Sequence, residues 1–474
     1  MLDFKKYGDA EAALRFFEEF SKIPRGSGNT AKIADYLENF AKERGLYCFR
    51  DTKNNVIIRK PATPGYEDRP TVIFQGHTDI VAEKKPGSKK DLENDPLELY
   101  IDGDFLKARD TTLGGDDGVS MAYALAILDT GAIEHPEFEA VFTSDEEIGL
   151  IGAAAIDETK IKGRLLINID SDVEGVFTVG CAGGVRSDIS MPVSYENNTC
   201  DKAFMVRVHS FRGGHSGVEI DKGRYNAIKF FAEILYGADG RICEMTAGSA
   251  DNAIPRECEA VISAGCDFAE KIKDAFEKKS KEISDIEPDI ALEISVCEKP
   301  LRTLTKESSE KLQNLLMAVP SGVIAFSKEL PGLVETSLNL GILRLTENEF
   351  NISFSVRSAK GAEKEKLCKA LSEIAEKFSA GYGERGAYPA WEYKKDSHLR
   401  DVMVKTYEEL YKKSPEVIII HAGLECGVFQ GKMPDMDSVS IGPDNFDIHT
   451  TEERLSLSSF ERVFTYLKAV LKNI

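Results

Sequence analysis

The chain has 474 residues, with 80 acidic against 60 basic side chains and a formal net charge of −20 at pH 7. This balance argues against a nucleic-acid partner and against an anionic membrane surface, because both require clustered Lys and Arg. The length exceeds one ordinary core and predicts two or three domains of roughly 100–200 residues each.

The cysteine pattern and the N-terminal segment both predict a cytoplasmic protein. The nine cysteines include no C-x-x-C pair, which is typical of reduced thiols rather than of a disulfide framework. The opening segment, MLDFKKYGDAEAALRFFEEF, carries acids throughout and lacks the apolar stretch of a signal peptide. No segment approaches the ~18 uninterrupted apolar residues of a membrane span, so we expect no membrane partner.

Residues 1–187 alternate between helical and strand patterns, beginning with helices in EAALRFFEEFSK and TAKIADYLENFAKERG. The segments that follow predict strands in NNVIIRK and PTVIFQGH, a helix in GVSMAYALAILDTG, and strands in FEAVFTSDE and GRLLINID. Such alternation predicts an α/β catalytic domain with a mostly parallel sheet.

The pattern changes over residues 188–388, where longer alternating strands such as KAFMVRVHS are interleaved with charged helices such as EKEKLCKALSEIAEKFSA. This segment predicts an inserted α+β lid domain. After the turn-rich GYGERGAYPAW, residues 389–474 return to α/β character. We expect residues 1–187 and 389–474 to form one catalytic domain, because a candidate ligand, His449, lies in the second segment and its expected partners lie in the first.

Histidine and carboxylate side chains follow the predicted strands at their C-terminal ends, where open α/β sheets bind their ligands. His77 and Asp79, in QGHTDIV, are two residues apart, so both point to one side of the backbone. The carboxylate can accept the second N–H of the imidazole and orient it toward a metal. An isolated H-x-D motif is at least as typical of a surface histidine beside an acid.

Two acidic motifs add carboxylates to this edge. Asp116, in LGGDDG, could be a helix cap, but the two glycines also let the backbone approach as a carboxylate bridging two ions requires. Glu146 and Glu147 end an apolar strand in TSDEEIG. Carboxylates this close together raise one another's pKa unless a metal ion neutralises one of them. A solvated turn is the alternative. We predict Glu147 as a ligand and Glu146 as the general base.

Three more residues complete the candidate set, although each has a plain alternative. Asp170, after the strand RLLINI, could start a turn, and His449, in DIHTTEER, could be a surface histidine. His215 lies in the glycine-rich RGGHSG of the inserted segment, where it could contact a substrate or be structural. Together, two imidazoles and several carboxylates are what a pair of zinc-like ions activating one water requires.

Seven ordered motifs resemble those of the aminoacyl-histidine dipeptidases, also called Xaa-His or cytosol non-specific dipeptidases, within the carnosinase-like co-catalytic metallopeptidases: QGHTDIV, LGGDDGVSMA, TSDEEIGLIGA, LLINIDSD, GGHSG, HAGLECGVF and DIHTTEER. The resemblance covers essentially the whole chain. Assignment to the Xaa-His branch rests on the segments HAGLECGVF and GGDDGVSMA and on the long insertion. Gly115 departs from the family pattern, in which alanine is common, and should not impair ligation.

The resemblance implies a hydrolase that releases C-terminal histidine and other residues from small dipeptides, with two divalent metal ions. Zinc is the favoured metal, and cobalt and manganese also accept such ligands. It leaves open the preferred dipeptide and whether the chain forms a homodimer.

The resemblance also assigns roles to the residues named above. One metal would take His77 and Asp170, the other Glu147 and His449, with Asp116 bridging both. Asp79 would orient His77, Glu146 would move the proton, and His215 would polarise the scissile carbonyl or stabilise its oxyanion. Four further residues would hold the ends of the peptide: Asn252, Arg357, His421 and Gly423.

Two other kinds of function stay open at the level of sequence. A tripeptide aminopeptidase or an N-acyl amino acid deacylase would share the metal site and differ in the inserted domain. A non-catalytic metal- or peptide-binding protein has little need of both Glu146 and a full ligand set.

Overall fold

In the computed structural model, which describes residues 2–328 and 332–474, the chain divides into two compact units. Unit 1 comprises Met1–Gly180, Tyr393–Ile419 and Leu424–Ile474, and unit 2 comprises Cys181–Glu392 and Ile420–Gly423. The segment 188–388 lies within unit 2. Within the described residues, no helix combines the length and the apolar character that crossing a membrane needs.

The helices have the following bounds: α1 Glu11–Phe20, α2 Ala31–Glu43, α3 Gly115–Asp129, α4 Ile151–Ala155, α5 Ala227–Leu235, α6 Phe268–Glu282, α7 Lys306–Ala318, α8 Gly361–Lys377, α9 His398–Tyr411, α10 Glu425–Lys432 and α11 Leu457–Asn473. Helix α3 is buried over almost its whole length, as its apolar sequence GVSMAYALAIL requires. It packs in the core of unit 1 with α1 and α11, where the ring of Tyr123 contacts that of Phe460 at a centroid distance of 4.4 Å.

The strands have the following bounds: β1 Tyr47–Arg50, β2 Val56–Lys60, β3 Val72–His77, β4 Leu99–Asp102, β5 Phe105–Ala108, β6 Phe138–Thr143, β7 Leu165–Asn168, β8 Val176–Cys181, β9 Gly183–Pro192, β10 Tyr195–Asn197, β11 Lys202–His209, β12 Gly214–His215, β13 Gly240–Ala247, β14 Ala253–Ile254, β15 Cys258–Ala264, β16 Ala291–Cys297, β17 Arg302–Leu304, β18 Gly322–Phe326, β19 Val334–Leu345, β20 Glu349–Ser358, β21 Gly381–Tyr388, β22 Glu416–Ile420, β23 Asp437–Ser440, β24 Asn445–Phe446 and β25 Arg454–Ser456.

The main sheet of unit 1 has the order β1-β2-β6-β3-β7-β23-β8-β22. Its central strands β6, β3, β7 and β23 are parallel, whereas β2 joins β6 and β8 joins β23 in antiparallel fashion. Strands β3 and β6 are buried along their whole length, in keeping with their near-continuous apolar sequences. The predicted α/β fold class is confirmed, with a sheet that is parallel at its centre and mixed toward its edges.

The main sheet of unit 2 is antiparallel, in the order β16-β11-β15-β13-β19-β20-β9-β21. Helices α5 to α8 contribute the residues that pack with it in one apolar core. Hairpins and helices combined in this way confirm the α+β character of the inserted segment.

The prediction of turns in GYGERGAYPAW is wrong for its first part, because Gly381–Tyr388 forms β21. This strand pairs with β9 at the edge of the unit 2 sheet and is largely exposed. Edge strands tolerate glycines and irregular pairing, and the register shifts between Arg385 and Tyr388. Strand β21 pairs with a neighbour on one side only, so its sequence can resemble that of a turn.

Candidate functional site

The strand order of unit 1 brings its acidic and imidazole residues to one edge. In the parallel register, His77 at the end of β3 pairs with Thr143 at the end of β6. Glu146 and Glu147 follow β6 directly, and Asp170 follows β7 on the other side of β3. Because the carboxyl ends of these parallel strands meet at one edge, residues far apart in sequence become neighbours.

The imidazole of His77 is buried and has a defined orientation. Its Nδ1 donates to the backbone carbonyl of Asp79 at 3.0 Å, and the Asp79 carboxylate lies at 3.5 Å from the same nitrogen. Its Nε2 therefore carries the lone pair in the neutral ring and faces Asp116 Oδ1 at 2.9 Å and Asp170 Oδ1 at 3.7 Å. A lone pair facing carboxylate oxygens requires a proton or a metal cation between them.

His449 approaches the same carboxylate from the other side. Its Nε2 lies 3.0 Å from Asp116 Oδ2 and 3.0 Å from Glu147 Oε1, and these two contacts raise the pKa of His449 to about 10. Burial acts to raise the pKa of Asp116, but its contacts with His449 and His77 outweigh burial and lower it. One carboxylate thus lies between two imidazoles, each of its oxygens facing one ring.

Among residues 2–328 and 332–474, three groups have ligand atoms close enough to hold an ion: His77, Glu146 and Glu147; His77, Asp116 and Asp170; Asp116, Glu147 and His449. Asp116 belongs to two of these groups. Imidazole nitrogen with carboxylate oxygen is a donor set that suits zinc, cobalt and manganese. The residues therefore fit a pair of divalent ions.

Burial raises the pKa of several carboxyls at this edge. The pKa of Glu146 is raised well above its ordinary value, and the charges of Asp170, Glu425 and Glu147 add to the effect of burial against the opposing charge of His77. The pKa of Asp170 is raised to about 6, again by burial first. Such crowded acids are stabilised by a cation or by holding a proton.

The Asp79 carboxylate also holds the backbone of the neighbouring acidic turn. Its Oδ1 accepts the N–H of Glu146 at 3.0 Å, and its Oδ2 accepts the Ser27 hydroxyl at 2.7 Å and the N–H of Glu147 at 3.4 Å. Asp79 is fully buried. It therefore positions the acidic pair as well as lying beside His77.

The LGGDDG segment contacts β3 very closely. A Cβ on Gly76 would lie 2.0 Å from Asp117 Oδ2, so only glycine fits at that position. The same Asp117 oxygen accepts the backbone N–H of His77 at 3.2 Å. Gly114 has a φ of +69°, which favours glycine at the start of α3. The close contact at this point is made by the Asp117 side chain against the backbone of β3, and the role of the two glycines in a bridging Asp116 stays a prediction.

In unit 2, the loop around His215 fixes the tautomer of that ring. The backbone N–H groups of Gly217 and Val218 both donate to His215 Nδ1, each at 3.2 Å. The proton of the neutral ring therefore lies on Nε2, which can donate. Burial lowers the pKa of His215, and the positive charge of Arg357 lowers it further.

Asn252 lies beside this loop, where its backbone carbonyl accepts the N–H of Ser216 at 2.8 Å. Its side chain is exposed. The strand pairing of β12 with β14 places His215 opposite Ala253, the residue after Asn252.

Three predicted substrate-binding residues form a second group in unit 2, together with Tyr388. Arg357 Nη1 donates to the Tyr388 hydroxyl at 2.9 Å, and the buried Nε of Arg357 has no hydrogen-bond partner among the described residues. A Cβ on Gly423 would lie 2.7 Å from the Tyr388 ring, so glycine leaves room for it. His421 Nε2 lies 2.7 Å from the Ser337 hydroxyl.

Sequence reasoning missed several residues that hold this architecture: Ser27, Asp117, Tyr388, Arg25 and Glu453. Glu453 lies inside the motif DIHTTEER, so its proximity to His449 was a usable signal. Arg25, in the segment SKIPRGSGNT, has no such neighbour in sequence.

Comparison with known proteins identifies relatives across the chain. Residues 73–473 match the profile of Peptidase family M20/M25/M40. A cytosol non-specific dipeptidase of Escherichia coli is 36% identical over 467 residues, 97% of this chain and 96% of that protein.

The structure of aminoacylhistidine dipeptidase from Vibrio alginolyticus superposes with a TM-score of 0.92 at 33% identity, covering 98% of this chain and 96% of that one. A tripeptidase from Staphylococcus aureus, at 16% identity and a TM-score of 0.57 over 98% of both chains, shares the fold.

Proposed function

We propose that this chain, which belongs to peptidase family M20/M25/M40, is a dipeptidase that uses two divalent metal ions to release histidine and other C-terminal residues from dipeptides. The observation that carries the proposal is Asp116, whose two oxygens face the Nε2 atoms of His77 and His449 at 2.9 and 3.0 Å. The names of the relatives from Escherichia coli and Vibrio alginolyticus support the dipeptide as the substrate class.

The ligands divide into two sets that share Asp116. His77 and Asp170 would hold one ion, and Glu147 and His449 would hold the other. We favour zinc, with cobalt and manganese as the alternatives that the same donors accept. When bound, such ions supply Lewis acidity that polarises a peptide carbonyl and makes a water more acidic.

Glu146 is the proposed general base, which takes a proton from the attacking water and returns it to the departing amine. The raised pKa of its carboxyl suits a group that must both accept and donate that proton. Asp79 fixes its backbone through the 3.0 Å hydrogen bond to the Glu146 N–H. Asp79 would also orient His77, through its backbone carbonyl and its carboxylate.

His215 is proposed to donate a hydrogen bond to the scissile carbonyl oxygen or to the oxyanion that forms from it. The two backbone N–H groups that bind Nδ1 support this role, because they leave Nε2 as the donor. A lowered pKa keeps the ring neutral, so the donor does not depend on a protonated imidazole.

The ends of the peptide are assigned to residues of unit 2. Arg357, whose buried Nε has no hydrogen-bond partner among residues 2–328 and 332–474, is proposed to bind the C-terminal carboxylate, and His421 lies in the same unit as a second contact. Gly423 makes room for the Tyr388 ring, which carries the hydroxyl that Arg357 contacts. Asn252 is proposed to contact the peptide through its exposed side chain.

We further propose that the protein acts in the cytoplasm. The nine cysteines form no disulfide with one another, and the Escherichia coli relative is named as a cytosol enzyme. The homodimer stays a prediction.

A substrate panel tests the proposed activity. Purified protein is assayed with Ala-His, β-Ala-His, Ala-Ala-His and N-acetyl-alanine, and we expect turnover of the dipeptide Ala-His. Dominant turnover of the tripeptide or of the acyl amino acid would favour the tripeptidase or the deacylase instead. No turnover of any of these by protein that holds metal would favour a binding protein.

The variant Glu146→Ala tests the proton carrier. We expect turnover to fall by about 10²–10⁴-fold while metal content stays at the wild-type level, because the residue acts on the proton rather than on the ions. Asp145→Asn is the matched control, since Asp145 lies in the same turn and binds the backbone N–H of Gly28 at 2.7 Å. Near-normal turnover by Glu146→Ala would contradict the assignment.

A further inference from the structure

Glu453 is buried and uses both carboxylate oxygens to bind one short stretch of backbone. Only 3% of the residue is exposed. Its Oε2 accepts two backbone N–H groups at 2.7 and 2.9 Å, and its Oε1 accepts the next two at 2.8 and 3.3 Å. The four donors are consecutive: Leu113, Gly114, Gly115 and Asp116. Four amides directed at one carboxylate form an anion-binding concavity.

The bound stretch ends at Asp116, the residue proposed to bridge the two ions. Glu453 itself lies four positions after His449, and its N–H closes a turn on the carbonyl of Thr450 at 3.2 Å. The carboxylate therefore links the segment that carries His449 to the segment that carries Asp116. Across the two linked segments, His449 Nε2 lies 3.0 Å from Asp116 Oδ2.

A buried cation holds the same stretch from its other side. Arg25 Nη2 donates to the carbonyl of Gly114 at 2.7 Å, so the N–H of Gly114 binds Glu453 and its C=O binds Arg25. Arg25 Nη1 also donates to the carbonyl of Thr78 at 2.8 Å, next to His77. The segment 113–116 is thus held between opposite charges, with its N–H groups bound to Glu453 and the carbonyl of Gly114 bound to Arg25.

We infer that Glu453 is a positioning residue that fixes the distance between Asp116 and His449, and through it the affinity for the ion held by Asp116, Glu147 and His449. Both Glu453 oxygens are occupied by backbone N–H groups, so the residue acts through its neighbours rather than on substrate or metal. The inference rests on the proposed function for the identity of the ligands.

The isosteric variant Glu453→Gln tests this role. It replaces one acceptor oxygen by an NH₂ donor, which would face two of the backbone donors instead of binding them. Metal-free protein is titrated with cobalt(II), followed by calorimetry and by the visible absorption of the bound ion. We expect the second cobalt ion to bind about 10–100-fold more weakly than in the wild type, the usual effect of removing a group that orients a ligand. Binding of the first ion should weaken less, because its other two ligands, His77 and Asp170, lie at the ends of β3 and β7, outside the two linked segments.

Glu139→Gln is the matched control. Glu139 is also a fully buried glutamate that accepts backbone N–H groups, those of Lys162 at 3.0 Å and Gly163 at 2.7 Å. It lies near the start of β6, whereas the candidate metal site lies at the other end of that strand. We expect it to lower stability without changing cobalt affinity. If binding of the second cobalt ion is weakened equally in both variants, the effect is a general loss of stability, and the inference is overturned.

Wild-type cobalt affinity in Glu453→Gln would also overturn it. If this variant does not fold, Glu453→Asp becomes the test: it keeps the charge one methylene further away, and wild-type binding of the second ion would contradict the inference. The outcome is separable from that of the proposed function, because cobalt binding is measured without substrate. A wild-type protein that binds two ions but hydrolyses no dipeptide would refute the function and leave the role of Glu453 open to this test.

Discussion

His421 makes the stability of unit 2 depend on pH in a defined direction. Burial lowers its pKa to about 4, with a further contribution from the positive charge of Arg357, whereas the unfolded chain has the ordinary value of 6.5. Between these two values the unfolded chain binds a proton that the folded chain does not bind. The free energy of unfolding therefore falls as the pH drops from 6.5 toward 4. From pH 7 to pH 5, this one imidazole removes about 2 kcal/mol.

Urea unfolding at pH 7 and pH 5 measures this contribution. The only tryptophan of the chain, Trp391, is 2% exposed within unit 2, so its fluorescence reports the unfolding of that unit. We expect His421→Gln to lose about 2 kcal/mol less than the wild type over this pH interval. The exposed His398 supplies the control variant His398→Gln, which should follow the wild-type dependence. Equal pH dependence in His421→Gln and the wild type would refute the reasoning.

Three further substitutions have distinct expected outcomes. Gly76→Ala places a Cβ 2.0 Å from Asp117 Oδ2 and should destabilise the protein by about 1–3 kcal/mol in thermal unfolding. Arg25→Lys offers one compact ammonium where the guanidinium binds three buried carbonyls, and should cost about 3 kcal/mol in urea unfolding. Arg357→Met should raise KM for dipeptides about 10–100-fold, with a smaller change in kcat, in steady-state assays.

Each of these substitutions has a control in the same chain. Gly131 has open space where a Cβ would lie, so Gly131→Ala should be tolerated. Arg400 also donates to backbone carbonyls but is less buried, and Arg400→Lys should cost less than Arg25→Lys. Arg207 pairs with Glu257 at the surface, so Arg207→Met should leave KM unchanged. If a substitution has the same measured effect as its control, the role given to the corresponding contact is contradicted.

The main elements of the fold could be predicted because their sequences carry strong periodicity. The buried runs in β3, β6 and β7 lead toward His77, Glu146 and Asp170, so the strand ends and the candidate site residues could be predicted together. Strand β21 was not visible, since its glycines and exposed residues fit a turn equally well and only its pairing with β9 makes it a strand.

The residues that hold the site in place could not be predicted, because their partners are distant in sequence. Glu453 binds amides near position 114, and Arg25 binds carbonyls of two separate segments. Arg25 has no local pattern, and the signal that Glu453 offers is limited to its place in the motif that carries His449. Asp79 was expected to orient His77 through its carboxylate, whereas the shortest contact of His77 Nδ1 is with the Asp79 backbone carbonyl. The sequence does not show which of these two groups of Asp79 lies nearer to the ring.

The proposed dipeptidase depends for its activity on metal ions held by the residues around Asp116. The most direct test is the release of histidine from Ala-His by protein that is first treated with a chelator and then reloaded with zinc in measured amounts. We predict that activity is lost on chelation and is restored as zinc approaches two ions per chain. Full activity in protein shown to be free of metal would contradict the account.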